Sequence, residues 1–293
     1  MTSEQFIDVN GIRTRFFEAG SGEPMLLLHG GNFGEQDNVD CANNWDLNWP
    51  VFAKSFHVYA IDRLGQGYTD NPKPGQYTIE NIVAHIRGFI EVVGLRDVHL
   101  VGHSRGGYMA TRVTMEDQSR IASLTIVDSS TTSPRVNTFR ERLRANARSD
   151  KRSRESLAWI IEQFSYSPVH ITKEWMDVRE AIAKTPKNDE AATHVAKIYD
   201  SEFLPGLQRH KDDTLAWIQA GNLRVPTLIV WGRNDPSAVL DGGLDLFNLI
   251  SEASSEVQMH IFNQAGHYCY REHPVAFADV VTAFIHSSSK VGI

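Results

Sequence analysis

The 293-residue chain has little cysteine: Cys41 and Cys269 are the only two. Far apart and outside any CxxC or Cys/His spacing, they suggest neither a disulfide framework nor a structural zinc site, and a reducing compartment fits best. No stretch of eighteen apolar residues occurs, so a membrane-spanning helix is not expected. The opening MTSEQFIDVNG lacks the basic start and long apolar core of a secretion signal. Positive charge is also in short supply: 29 Lys and Arg face 36 Asp and Glu, a net charge of −7. That balance gives no global attraction to nucleic acid or an anionic membrane. No HExxH or HxH spacing calls for a metal, and no other cofactor is expected. These absences point to a soluble cytoplasmic protein with no nucleic-acid or membrane partner.

What is present is globular: 41% of residues are hydrophobic and 22% charged, which excludes disorder, collagen and coiled coil. The length allows one enlarged domain or two. Phe6 to Val9 and Ile12 to Glu18 flank Asn10-Gly11, a dipeptide that tolerates positive φ at both places and so predicts a hairpin. Met25 to Leu28 and Phe56 to Ile61 are continuous apolar runs of the kind buried on both faces of a sheet. Ile79, Ile82, Val83, Ile86, Phe89, Ile90 and Val93 recur at helical spacing, with Gly94 as C-cap. Val98 to Val101 is a further buried strand, followed by Gly102-His-Ser-Arg-Gly-Gly107 and a helix to about Met115. Ile121 to Val127 is the next strand. The rhythm resumes late in the chain with Thr227 to Trp231 and Val257 to Phe262 as strands, and Leu244 to Ile250 and Pro274 to about Ile285 as helices. Such alternation predicts an α/β fold with a doubly wound, mostly parallel sheet.

Between residues 134 and 221 the rhythm breaks into helix formers, charges and aromatics without a convincing buried strand. A helical insertion after a strand of such a sheet is expected to form a lid over the strands' carboxyl ends, where ligands bind in these folds. The predicted organisation is therefore a core of residues 1–133 and 222–293 with a lid of residues 134–221.

Gly102-His103-Ser104-Arg105-Gly106 matches GxSxG between a strand and a helix, the setting of a nucleophile elbow. A serine hydroxyl needs a base to take its proton and an acid to orient that base. In chain order these partners follow as Asp and then His. Asp235, in Trp231-Gly-Arg-Asn-Asp-Pro236, and His267, in Gln264-Ala-Gly-His-Tyr268, each lie just beyond a strand and are assigned as orienting acid and general base. Asp128 also ends a strand and is the competing acid; His273, before Pro274, reads as structural. The His29-Gly30-Gly31 turn offers one oxyanion-hole N–H from Gly31, and Arg105, after the nucleophile, offers the other.

Taken in order, HGG, DRLGQG, GHSRGG, WGRNDP and AGHYCYREHP resemble the α/β-hydrolase family over the whole chain except the lid. Serine at the elbow argues against haloalkane dehalogenases and epoxide hydrolases, which place aspartate there. Within the family the chain is most similar to the meta-cleavage-product hydrolases, which split a carbon–carbon bond in 2-hydroxy-6-oxo-dienoates from aromatic-ring degradation. The shared features are the NGIRTRFFEAGSGEP opening, the HGG loop and the Asn43-Asn44-Trp45 group. The resemblance implies a small carboxylate-bearing substrate whose acidic end meets the asparagine region and a lid arginine. It makes Gly30, Asn32, Asn44, Arg105 and Tyr268 the expected substrate contacts and allows a homo-oligomer. The chain departs from that group at His103 and Arg105, where Asn and Met are typical, at Tyr268 in place of tryptophan, and in a more acidic segment from Asn32 to Ala42.

Arginine after the nucleophile resembles the fluoroacetate dehalogenases, which use it to hold a carboxylate; Tyr108 stands where those enzymes have a second arginine. Arg105 thus has two open readings, a substrate carboxylate or a structural one. The basic run of Arg135, Arg140, Arg142, Arg144, Arg148, Lys151, Arg152 and Arg154 reads first as a solvated helix face and second as a device that steers anions. The expected function is serine-type hydrolysis of a C–C bond in a dienoate or similar keto acid. An esterase or lactonase with the same triad is the alternative, and a non-catalytic binding protein of this fold is a third reading.

Overall fold

The computed structural model describes residues 3–135, 139, 143 and 148–288. Eight strands form one sheet: β1 (Ser3–Val9), β2 (Ile12–Gly20), β3 (Glu23–Leu28), β4 (Phe56–Ile61), β5 (Val98–His103), β6 (Ile121–Val127), β7 (Thr227–Gly232) and β8 (Val257–Phe262). Their order is β1-β2-β4-β3-β5-β6-β7-β8. β1 and β2 are joined by the expected hairpin, with Asn10 and Gly11 both at positive φ. β2 also pairs antiparallel with β4, and from β4 to β8 every pairing is parallel.

The apolar runs are continuous because both sheet faces are covered. Leu26 and Leu28 pack with the helices Ile79–Val93 and Arg105–Glu116 on one face. Met25 and Leu27, their neighbours in the same strand, point to the other face, toward Trp45, Phe52 and the helix Pro274–Ser288. The helix Ile79–Val93 begins where the Thr78 hydroxyl accepts the Asn81 N–H and stops at Gly94, whose φ of 75° is the left-handed C-cap.

One helix is longer than the sequence pattern suggests. It spans Leu240–Ser251 rather than starting near Leu244. Gly242 and Gly243 weaken the local signal, but Gly243 lies flush on Trp231, where a Cβ would come within 2.6 Å of the indole. Packing therefore overrides propensity there.

Between β6 and β7 the described chain is helical: Arg154–Phe164, Lys173–Ala183, Pro186–Ile198 and Leu204–Gln219. The hydroxyls of Ser153, Thr172 and Thr185 accept the N–H three residues on and start the first three of these helices. These helices touch the loops at the carboxyl ends of the strands. Asn188 Nδ2 donates to the Glu35 carbonyl, and the Phe164 carbonyl accepts the His267 N–H. No helix among the described residues is long and apolar enough to cross a membrane.

Candidate active site

β5 runs directly into the helix Arg105–Glu116, and Ser104 occupies the corner at φ 54° and ψ −123°. This backbone is costly for a residue with a side chain and persists only when the surroundings impose it. They do so through glycine. A Cβ on Gly102 would collide with the Gly106 backbone, and one on Gly106 would collide with the carbonyls of Leu28 and His29. The Ser104 N–H donates to the Val127 carbonyl at 2.8 Å, and the Ser129 hydroxyl donates to the Ser104 carbonyl at 2.6 Å, pinning the corner to β6.

Asp235 and His267 meet beside this corner. His267 Nδ1 lies 2.6 Å from Asp235 Oδ2, with both side chains buried. Asp235 Oδ1 accepts the N–H groups of Ser237 and Ala238 at 2.7 and 2.8 Å. A carboxylate acceptor keeps the proton on Nδ1 and leaves Nε2 as the basic nitrogen. Asp128, the competing acid, lies fully buried with Oδ1 accepting the Gly232 N–H at 2.7 Å. Burial and the neighbouring Asp235 push its pKa far above the usual carboxylate range. His273 does as expected, stacking on Phe262 with Nε2 against the Gln264 carbonyl.

His103 adds a link that the sequence reading did not assign. Its Nε2 donates to the His267 carbonyl at 2.7 Å, and its ring centroid is 4.6 Å from that of His267. Burial and His267 hold His103 well below the ordinary histidine value, so it is neutral.

The His29-Gly30-Gly31 loop is braced from behind. Gly31 sits at φ 79°. Buried Arg63 donates Nη2 to the carbonyls of Gly30 and Gly31 at 2.5 and 2.9 Å, and Gln66 Nε2 donates to that of Asn32 at 3.1 Å. Burial and nearby Arg105 push Arg63 down to about 9. The Arg105 N–H belongs to the first turn of its helix, where donors have no intrahelical acceptor.

The expected substrate contacts fall in different places. Gly30 lies against Ser104, its Cβ position 3.1 Å from Ser104 Cβ. Asn32 lines a cavity of about 540 Å³ with Glu35, Asn38, Ile160, Phe164 and Tyr199. Phe164, which lines this cavity, has its ring centroid 5.3 Å from that of His267. Asn44 is enclosed in a network: its amide N–H donates to Asp40 and its oxygen accepts from Trp175 and Arg179. Tyr268 is buried among the rings of His103, Phe164, His170 and Trp175. The Arg105 guanidinium is buried over the Phe203 ring, 5.7 Å from its centroid, and Tyr108 turns away to Thr214.

Arg179 and Asp40 form a buried ion pair at 3.0 Å that the sequence reading did not anticipate. A signal existed: Arg179 follows Trp175 by four residues, so a charge stands on the inward face of that helix. In the basic run, Arg135 pairs with Asp245, Arg148 with Asp150, Arg152 with Asp189, and Arg154 with Asp177 and Glu180. Arg140, Arg142 and Arg144 lie outside the described residues. Among the described residues, no group of three or more His, Cys, Asp or Glu could hold a metal ion.

Comparison with known proteins places this geometry in a family. Residues 23–274 match the family described as alpha/beta hydrolase fold. The chain is 27% identical over 285 residues to the 2-hydroxymuconate semialdehyde hydrolase of Pseudomonas sp. strain CF600, covering 97% of this chain and 94% of that one. It is 26% identical to the 2-hydroxy-6-oxo-2,4-heptadienoate hydrolase of Pseudomonas putida, covering 94% and 93%. Among solved structures, the meta-cleavage product hydrolase of Pseudomonas fluorescens IP01 superimposes with a TM-score of 0.78 at 25% identity, covering 97% of this chain and 98% of that one.

Proposed function

The chain belongs to the α/β-hydrolase fold family, and from that premise we propose that it hydrolyses a carbon–carbon bond beside a ketone in a 2-hydroxy-6-oxo-dienoate or similar keto acid, with Ser104 as nucleophile. The observation that carries the site assignment is the forced corner at Ser104 beside the His267–Asp235 pair. Support for the substrate class comes from the relatives, whose names are those of dienoate and semialdehyde hydrolases.

In this reading His267 Nε2 takes the Ser104 proton as Oγ adds to the ketone carbon. The N–H groups of Gly31 and Arg105 meet the oxygen as it becomes negative. With the dienol first converted to its keto form by transfer of the 2-hydroxyl proton to the carbon beside the ketone, the carbon–carbon bond then breaks, its electron pair is taken up as the dienolate, and His267 returns its proton to that fragment. Water, activated by the same imidazole, releases the acyl group from Ser104 as a carboxylic acid. Asp235 holds the imidazole in the required tautomer throughout. The helices Arg154–Phe164, Lys173–Ala183, Pro186–Ile198 and Leu204–Gln219 act as the lid, with Phe164 closing over His267. The substrate is a small molecule bearing a carboxylate, with Asn32 and Arg105 among its contacts.

One observation favours a second reading, an esterase or lactonase with the same triad. The lid cation Arg179 is already matched by Asp40, which lessens the pull on a substrate acid. The two readings separate by spectrophotometry. Loss of the yellow dienolate absorbance with purified protein is expected, while rapid p-nitrophenyl ester turnover with inert dienoates would replace the first reading by the second. Ser104→Ala should abolish activity without unfolding the protein; retention of full rate would remove the nucleophile assignment.

A further inference from the structure

His267 is fastened to the lid as well as to the sheet. Its peptide N–H donates to the Phe164 carbonyl at 2.8 Å, and Phe164 is the last residue of the lid helix Arg154–Phe164. A carbonyl in the final turn has no donor within its own helix, and here the His267 loop supplies one. Gly266, the residue before the base, lies flush on the same lid turn. A Cβ there would come within 2.5 Å of the Phe164 oxygen and 2.6 Å of the Tyr166 nitrogen.

One carboxylate locks this contact. Glu272 ends the short helix Cys269–Glu272 that follows His267, and it is half-buried. It accepts three backbone N–H groups from the two segments: Gly266 at 2.8 Å and Tyr166 at 3.4 Å on Oε1, and Ser167 at 2.9 Å on Oε2. A carboxylate can take such a set because each oxygen accepts more than one bond, and bonds to an ionised acceptor are about twice as strong as neutral ones. Asp235 holds the Nδ1 side of the His267 ring, and His103 holds its carbonyl. The N–H side is held by the lid. A general base must stand within hydrogen-bond reach of the proton it takes, and a shift of about 1 Å can cost about 10²-fold in rate.

We propose that Glu272 is a positioning residue for the reaction: it ties the lid segment Tyr166–Ser167 to the His267 loop, so that the imidazole is in register with Ser104 only while the lid is seated. The inference rests on His267 acting as the base. Glu272 acts through His267, so its effect belongs in the rate of the chemical step rather than in binding.

The test follows labelling by a small fluorophosphonate, in which Ser104 Oγ bonds to phosphorus, fluoride leaves and His267 takes the proton, so no natural substrate is needed. In Glu272→Ala the maximal labelling rate should fall by about tenfold to 10²-fold, with the half-saturating probe concentration within about threefold of the original. Glu272→Gln keeps an acceptor oxygen for one of the two segments only, and its loss should be intermediate. Gly266→Ala pushes the lid turn away with Glu272 intact and should cost a similar factor to Glu272→Ala. Both changes open the same joint, so the double variant should lose no more than about threefold beyond the worse single variant. Urea unfolding checks that each protein is folded; should Glu272→Ala not fold, Glu272→Gln and Gly266→Ala carry the same comparison. A folded Glu272→Ala protein within threefold of the original rate, a loss confined to the half-saturating concentration, or losses that multiply in the double variant would overturn the role of Glu272. An unchanged rate in His267→Gln would instead remove the base and, with it, this proposal.

Discussion

Replacing Asp235 by asparagine removes one charge and almost no volume, so its effect is set by the hydrogen bonds around the carboxylate. The aspartate serves two sets of donors: the Ser237 and Ala238 N–H groups on Oδ1, and His267 Nδ1–H on Oδ2. Asparagine can satisfy only one set. With its oxygen toward the loop, its NH2 faces Nδ1, the imidazole proton moves to Nε2, and the base cannot accept the Ser104 proton. With its oxygen toward Nδ1–H, the NH2 meets two backbone donors, at a cost of about 1–3 kcal/mol for each group left unsatisfied. In either orientation the imidazolium formed during catalysis loses its counter-charge. The expected result is a fall in kcat of about 10³ to 10⁴-fold, or roughly 4 to 5.5 kcal/mol of barrier, measured as dienoate consumption at neutral pH with denaturant unfolding as the stability check. Asp128→Asn is the matched control. Burial pushes the pKa of that carboxyl well up, and it accepts the Gly232 N–H, a bond that an amide oxygen can keep, so kcat should stay within about threefold. A folded Asp235→Asn protein within tenfold of the original kcat would refute the argument, and a collapse confined to Asp128→Asn would exchange the two roles.

Three other outcomes are expected from the same geometry. Gly31→Ala strains a residue at φ 79° and drives a methyl group into Asp40 Oδ2, so kcat/KM should fall by about 10² or more while the protein remains folded. Arg179→Met leaves the Asp40 carboxylate buried without its counter-charge and should cost about 3–5 kcal/mol in urea unfolding at pH 7. Because the folded Asp40 pKa lies near 2, below the ordinary carboxylate value, the pair's contribution is complete above about pH 4 and disappears as pH falls through 2; the Arg179→Met deficit should shrink over the same interval, and a deficit independent of pH would count against the pair. Finally, since the described members of the basic run that form ion pairs are matched by acids, kcat/KM for an anionic substrate should change by less than about threefold between low and physiological salt, and a steep decline would restore the steering idea.

Local pattern carried the fold because it carries most of the physics of a two-faced sheet. Every strand from β3 to β7 is visible as an apolar run bounded by turn residues, and the glycines around Ser104 are explained by a corner too tight for side chains. Ser104, Asp235 and His267 could be placed at neighbouring strand ends from their positions just beyond strands, because a parallel sheet brings those ends together. The helix Leu240–Ser251 was only partly legible, since its glycines are favoured by contact with Trp231 rather than by local propensity.

The sequence by itself therefore determined the α/β architecture, the corner and the order of the residues that meet there. Only the tertiary structure decided their charge environment. Whether a carboxyl is ionised depends on what lies a few ångströms away, and those neighbours come from distant segments. Asp40 is anionic because Arg179, 139 residues on, donates to it. The Asp128 pKa is pushed well up because the carboxyl is buried and lies beside Asp235. His103 is neutral because it is buried beside the His267 ring, and its Nε2–H donates to the His267 carbonyl, 164 residues away in sequence. Spacing along the chain has no access to these through-space effects, which is why Asp40, Arg63 and Arg179 emerged only once the loops were seen together.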